Sequence, residues 1–132
     1  MKKTSLSLSI LLMLFAGGVS AGKVEKKLER MFYEAESNIS EDTDAATYRW
    51  LASGYLCGSV HTVDNSGWNY VVEIKKDERK AFRFFEKASS LNDPQSAGII
   101  GILYRKGIGV EKNLLQSVSY LSLVKDSYPT AA

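Results

Sequence analysis

Cys57 and His61 are the only cysteine and the only histidine of the chain, and they have the greatest capacity for nucleophilic or metal chemistry. A transition-metal site needs several such ligands, and a nucleophilic cysteine needs a base held against it. One histidine provides no multi-histidine site, and no Cys-His pair at helical spacing is indicated. We therefore expect no metal, no cofactor and no disulfide within the chain. The favoured interpretation places His61 in a solvated loop, and the alternative makes it a partner contact.

Two other segments are candidates for ligand binding, and both are better explained structurally. The acidic run 41–44 lacks the twelve-residue ligand spacing of a calcium loop. Its carboxylates are suited to the start of a helix, where they complement free backbone N–H groups. Residues 107–109 contain two glycines, but no strand precedes them and no Lys-Ser/Thr pair follows, as a nucleotide loop would require. The sequence thus predicts no catalytic site.

Trp68 and Tyr70 are the aromatic residues with the best spacing for recognition. They alternate with polar residues in a segment that follows a turn signal, Asp64-Asn65-Ser66-Gly67, so residues 60–74 are predicted to form a small β-hairpin. Tryptophan and tyrosine dominate binding hot spots, which makes both residues candidate partner contacts. The competing interpretation is that the same aromatics cover the core.

The elements that would position these residues repeat along the chain, with offsets of 36 and 49 positions. The difference of 13 residues is an insertion: residues 59–76 of the first copy stand where the second copy has only residues 108–112. Insertions in repeat proteins fall in loops, so the helices stay in register. The matched pairs are Asp77 and Asn113, Ala81 and Ser117, Phe84 and Tyr120, Leu51 and Ile100, Ala52 and Gly101, Tyr55 and Tyr104, and Gly58 and Gly107.

Each copy is predicted to form two helices. Asp77 and Asn113 are N-cap residues for the second helices, and Pro94 fits the first turn of a helix. Gly58 and Gly107 stand where a first helix should end, because glycine accepts the left-handed conformation common there. The predicted helices span 44–57 and 77–90 in the first copy, and 95–106 and 113–126 in the second.

The first 21 residues are predicted to be a secretory signal peptide, because two lysines precede an apolar run and small residues at Val19 and Ala21. Cleavage near Ala21 would leave 111 of the 132 residues, the size of one domain, in the periplasm or secreted. Loss of Lys2 and Lys3 reduces the 17 basic residues to 15, equal to the 15 acidic ones. This neutrality argues against a nucleic-acid partner. We expect no stable membrane insertion after cleavage.

The mature chain divides into three predicted parts. Residues 22–43 form an N-terminal capping helix and linker, with the apolar stripe Val24, Leu28, Met31 and Ala35 turned inward and charged residues facing water. Residues 44–93 form the first repeat, with its insertion 59–76. Residues 94–132 form the second repeat and a tail, with Pro129 ending the last helix.

The segment from Ser96 to Val110 closely resembles the Sel-one-like repeat (SLR) family, relatives of tetratricopeptide repeats. In the first copy Ala52 replaces the usual glycine, and the Gly-x-Gly-Val motif is lost in the insertion. The positions that match are Ile100, Gly101, Tyr104, Gly107, Gly109 and Val110 in the second copy, and Leu51, Tyr55, Gly58, Asp77, Ala81 and Ala88 in the first.

The resemblance implies an all-α, right-handed α/α superhelical solenoid of two helix-hairpin repeats plus the capping helix. It also implies a protein-interaction module without catalysis, such as an envelope adaptor or a periplasmic immunity protein against toxins of type VI secretion. A structural envelope scaffold with several weak partners is the alternative, and an enzyme of unrecognised type is less favoured. Solenoids bind partners on the concave face of the first helices. Arg49, Ile102 and Arg105 are therefore candidate contacts there, with ordinary solvated arginines as the competing interpretation.

Overall fold

The computed structural model describes residues 21–127, which form five helices and one two-stranded antiparallel sheet. The hairpin interrupts the helices after α2, where the insertion was predicted. The elements in chain order are α1 (Ala21–Ser37), α2 (Ala45–Cys57), β1 (Ser59–Val63), β2 (Asn69–Glu73), α3 (Glu78–Ser90), α4 (Pro94–Lys106) and α5 (Leu114–Ser127).

The helix ends follow the signals in the sequence. Asp44, Asp77 and Asp93 have extended backbone conformations, and each side chain accepts a hydrogen bond from the backbone N–H three residues later. Gly58 and Gly107 end α2 and α4 with φ of 73° and 70°, in the left-handed region that favours glycine.

The two repeats share the same internal hydrogen bond. The backbone N–H of Asp77 donates to the carbonyl of Tyr55 over 3.0 Å, and the N–H of Asn113 donates to the carbonyl of Tyr104 over 2.9 Å. Tyr55 also lies against Phe84, with ring centroids 6.1 Å apart, as Tyr104 lies against Tyr120 at 5.8 Å. Tyr55 and Tyr104 therefore occupy equivalent places, which confirms the predicted helical repeat fold.

The helices pack as two consecutive hairpins, α2 with α3 and α4 with α5, joined through contacts between α3 and α4. A Cβ at Gly101 would lie 2.7 Å from Leu121, so only glycine allows α4 and α5 this close an approach. The buried hydroxyl of Ser117 donates to the carbonyl of Gly101 over 2.7 Å. The small residues of the repeat thus set the distance between its helices.

Helix α1 covers the first end of the stack. Val24, Leu28 and Ala35 are buried as predicted, and Glu25, Lys26, Glu29 and Arg30 are exposed. The predicted stripe does not include Phe32, which is fully buried and lies one position after the stripe residue Met31. Its ring fills the space beside Gly54, where a Cβ would come within 2.4 Å. Phe32 is thus the main apolar link between the capping helix and the first repeat.

Two parts of the sequence prediction fall outside the described residues: most of the predicted signal peptide, residues 1–20, and Pro129 in the tail 128–132. Between residues 21 and 127, no helix has the length and apolar character to cross a bilayer.

Candidate protein-binding surface

The β1–β2 hairpin has one buried side and one exposed side. In its register Val60 is opposite Val72, and both are buried, at 4% and 6% exposed. The next pair along the strands, His61 and Val71, points the other way and is exposed, as alternation along a strand requires. The insertion thus covers core residues with one face and presents its other face to solvent.

The turn between the strands is held by one carboxylate. Asp64 accepts hydrogen bonds from the N–H of Ser66 at 2.8 Å, the N–H of Trp68 at 3.0 Å and the hydroxyl of Tyr70 at 2.9 Å. Desolvation acts to raise the pKa of Asp64, but the hydrogen bonds from Trp68, Tyr70 and Ser66 outweigh it and lower the pKa. Several bonds to one side chain therefore fix the turn.

Trp68 is the most exposed aromatic side chain that the structure describes at this turn, at 69%. Because its own N–H is bonded to Asp64, its backbone is fixed while its ring faces water. Because this backbone is already fixed in the free chain, a partner that covers Trp68 does not have to order it.

Tyr70, the other predicted aromatic contact, is half-buried. Its hydroxyl donates to Asp64, and this bond is the main cause that raises the pKa of Tyr70. Tyr70 therefore supports the turn that presents Trp68. His61 is exposed on β1, with its Nε2 3.1 Å from the hydroxyl of Ser59.

The predicted residues on the first helices of the repeats differ in their surroundings. Arg49 is held in an ion pair, with its Nη1 2.7 Å from Oδ1 of Asp93, the residue that caps α4. It therefore links the first repeat to the start of the second. Ile102 is 40% exposed and Arg105 is exposed, three residues apart on one face of α4. The six candidate residues thus divide between the hairpin, the face of α4 and one inter-repeat ion pair.

The titratable residues between 21 and 127 form no group of three or more His, Cys, Asp and Glu that could hold a metal ion. Cys57 is exposed at the end of α2.

An open groove between the loops that precede α3 and α5 is lined by charges of both signs, among them Asp77, Arg79 and Glu111. Asp77 is already used as the cap of α3.

Helix α5 carries an exposed apolar surface that was not predicted from the sequence. Leu115 is 85% exposed, Val118 is 66% exposed and Leu114 is 58% exposed. Their spacing of three and four residues was the available signal, but the same spacing is typical of a buried stripe. Only the packing shows that this stripe faces away from α4.

Comparison with solved structures supports the resemblance carried by the repeat motif. Helicobacter pylori cysteine-rich protein B, a Sel-one-like repeat protein, matches with a TM-score of 0.50 and 25% sequence identity, over 89% of this chain and 72% of that one. The fold is that of a Sel-one-like repeat protein. Such repeat folds are typically non-catalytic interaction scaffolds and suggest a protein partner.

Sequence comparisons reach less of the chain. No family model matches it. A segment of 49 residues, 37% of the chain, is 48% identical to DAP3-binding cell death enhancer 1 of Rattus norvegicus. The matched segment spans only 10% of that protein.

Proposed function

We propose that this Sel-one-like repeat protein is an exported binding module whose β1–β2 hairpin carries the main contact with one protein partner. The observation that carries the proposal is the exposure of Trp68 on a turn fixed by Asp64. Val63 and Val71 add exposed apolar surface on the adjacent strands, at 49% and 46%. Tryptophan is among the residues most enriched in binding hot spots, and the contacts around such a residue mainly exclude water.

The comparisons support the class of function. The structural relative has a Sel-one-like repeat fold, which suggests a protein-interaction module, and the rat relative is named for binding another protein. The equal numbers of acidic and basic residues predicted for the mature chain favour a protein partner over a polyanion. Ile102 and Arg105 on α4 are proposed as a secondary contact, because they are exposed on one helix face.

The test is quantitative affinity purification from the envelope of the native host, comparing wild type with Trp68→Ala. We expect wild type to capture one stoichiometric partner. Trp68→Ala should capture at least about tenfold less of it, as for a hot-spot tryptophan. Leu91→Ala is the matched control, because Leu91 is a 42% exposed apolar residue outside the hairpin. Undiminished capture by Trp68→Ala, or equal loss by Leu91→Ala, would refute the hairpin as the binding element.

Export is proposed from the signal-peptide pattern of residues 1–21. The expected product in a periplasmic extract begins at Gly22, as intact mass and N-terminal sequencing can determine. Recovery of the whole chain, with Met1 retained, from the cytoplasmic fraction alone would contradict it.

Within this proposal the most specific role is immunity to a toxin delivered by type VI secretion, with an envelope adaptor as the other. An immunity role predicts that a neighbouring gene encodes a toxin and that co-expression of this chain restores growth. A version lacking residues 1–21 should fail to protect when the toxin acts in the periplasm. Protection by that version would exclude a periplasmic immunity role.

A further inference from the structure

The exposed apolar stripe on α5 overlaps the second copy of a surface that is buried in the first repeat. With the offset of 36 positions, Val118 corresponds to Phe82 and Leu121 corresponds to Phe85. Phe82 and Phe85 are 7% and 1% exposed, whereas Val118 and Leu121 are 66% and 37% exposed. The difference is the helix that covers them.

In the first repeat that covering helix is α4. The ring of Phe82 makes an edge-on contact with Tyr104 of α4, with centroids 5.2 Å apart. Helix α5 presents the equivalent face of the second repeat, and no helix of residues 21–127 covers it. Helix α5 thus presents a face with the geometry to accept another helix.

The chemistry of the stripe limits what can cover it. From Leu114 to Val124 the helix has no charged residue, so two copies of α5 can approach without burying like charges. The opposite end of the stack is different, because α1 exposes charged side chains such as Glu25, Lys26 and Arg30. Docking of α5 onto α1 of another copy would bury those charges. Two chains that pair α5 with α5 about a two-fold axis bury none of these charges, and the assembly is complete at two chains.

We propose that α5 is the docking site for a second copy of this chain, with α5 packed against α5 of the partner across a two-fold axis. Val118 and Leu121 form the centre of the contact. Leu114 and Leu115, which align with the exposed Glu78 and Arg79 of the first repeat, extend it towards the start of α5. The proposal does not depend on the hairpin, because it uses a different surface for a different partner.

The size of the contact sets the strength expected of the dimer. A helix of 14 residues is about 21 Å long, so one helix-on-helix contact is small among stable interfaces. We therefore expect a reversible dimer with a dissociation constant on the order of tens of micromolar.

Sedimentation velocity measures this directly, with protein expressed from the full 132-residue sequence and purified as the cell processes it. From about 5 to about 500 µM, wild type should shift from monomer to dimer. Val118→Lys and Leu115→Lys should each weaken the dimer at least about tenfold, because each places a cation in the contact. Leu115 is 85% exposed, so its substitution removes no core packing, and Leu115→Lys should fold even if Val118→Lys does not.

Leu123→Lys is the matched control, because Leu123 is a 53% exposed leucine of α5 about 140° around the helix from Val118. It should dimerise like wild type. A wild type that stays monomeric overturns the proposal and leaves the stripe to a helix of another protein. A dimer unaffected by both Val118→Lys and Leu115→Lys, or equally weakened by Leu123→Lys, overturns it as well.

Discussion

Tyr55 of α2 donates a hydrogen bond to the carboxylate of Glu36 in the last turn of α1. Lys80 of α3 binds the same carboxylate, with its Nζ 2.9 Å from Oε2, and lies 4.6 Å from the centroid of the Tyr55 ring. One carboxylate therefore ties the capping helix to both helices of the first repeat. All three side chains are at least partly buried, which strengthens their interaction relative to surface pairs.

Tyr55→Phe should destabilise the protein by about 1.5–3 kcal/mol, the usual range for a hydrogen bond to a charged group. The ring and its packing remain, so the loss belongs to the hydroxyl. Urea unfolding followed by circular dichroism measures it. Tyr104→Phe is the control at the equivalent place of the second repeat, because the Tyr104 hydroxyl makes no hydrogen bond with residues 21–127. An equal loss in both variants would show that Glu36 contributes nothing specific.

The same contact predicts an alkaline limit to stability. Burial first, and then the hydrogen bond to Glu36, raise the pKa of Tyr55. A raised pKa means that the neutral hydroxyl is favoured in the folded chain, so its contribution is complete below about pH 10 and falls as pH rises beyond that. The difference in unfolding free energy between wild type and Tyr55→Phe should therefore narrow from pH 9 to pH 11. A constant difference would contradict this assignment.

The sequence predicted the helices because their signals are local. Caps such as Asp77, terminal glycines such as Gly107 and the apolar periodicity each act within a few residues. The ion pair of Arg49 with Asp93 joins residues 44 apart, and no local pattern indicates it. The stripe on α5 was missed because apolar spacing shows that a face exists but not which neighbour covers it. Trp68 was predicted correctly as part of a hairpin, while its exposure required the packing.

Substitution of Asp93 should destabilise the protein more than substitution of Arg49. Asp93→Ala removes the ion pair, the N-cap of α4 and the bond from the Ser96 hydroxyl, so we expect a loss of about 2 kcal/mol. Arg49→Ala removes the ion pair alone and should cost about 0.5–1 kcal/mol. Chemical denaturation of both variants and of the double variant gives the free energy of interaction between Arg49 and Asp93. If Arg49→Ala lowers partner affinity strongly while stability is unchanged, Arg49 contacts the partner directly.

Asp64 should control the order of the hairpin turn without controlling the fold. Asp64→Ala removes the acceptor for the N–H groups of Ser66 and Trp68, so their amide hydrogens should exchange faster while the far-ultraviolet circular dichroism stays native. Because the pKa of Asp64 is lowered in the fold, the turn should also loosen in wild type as pH falls below about 4. Unchanged exchange at Trp68 in Asp64→Ala would show that the strands alone hold the turn.

Gly109 should be the least replaceable glycine of the second repeat. Its φ is +70°, and a Cβ there would lie 2.2 Å from the backbone oxygen of Glu78, so α3 would have to move. Gly67 isolates the conformational part of this effect, because it has φ of 87° and nothing within 4 Å of its Cβ position. Gly67→Ala should therefore cost about 1–2 kcal/mol for the left-handed backbone alone. Gly109→Ala should exceed that by at least about 2 kcal/mol in urea unfolding, because it also displaces backbone between the two repeats. Equal losses would mean that the loop before α5 adjusts freely, and that the close approach of Gly109 to α3 does not hold the repeats together.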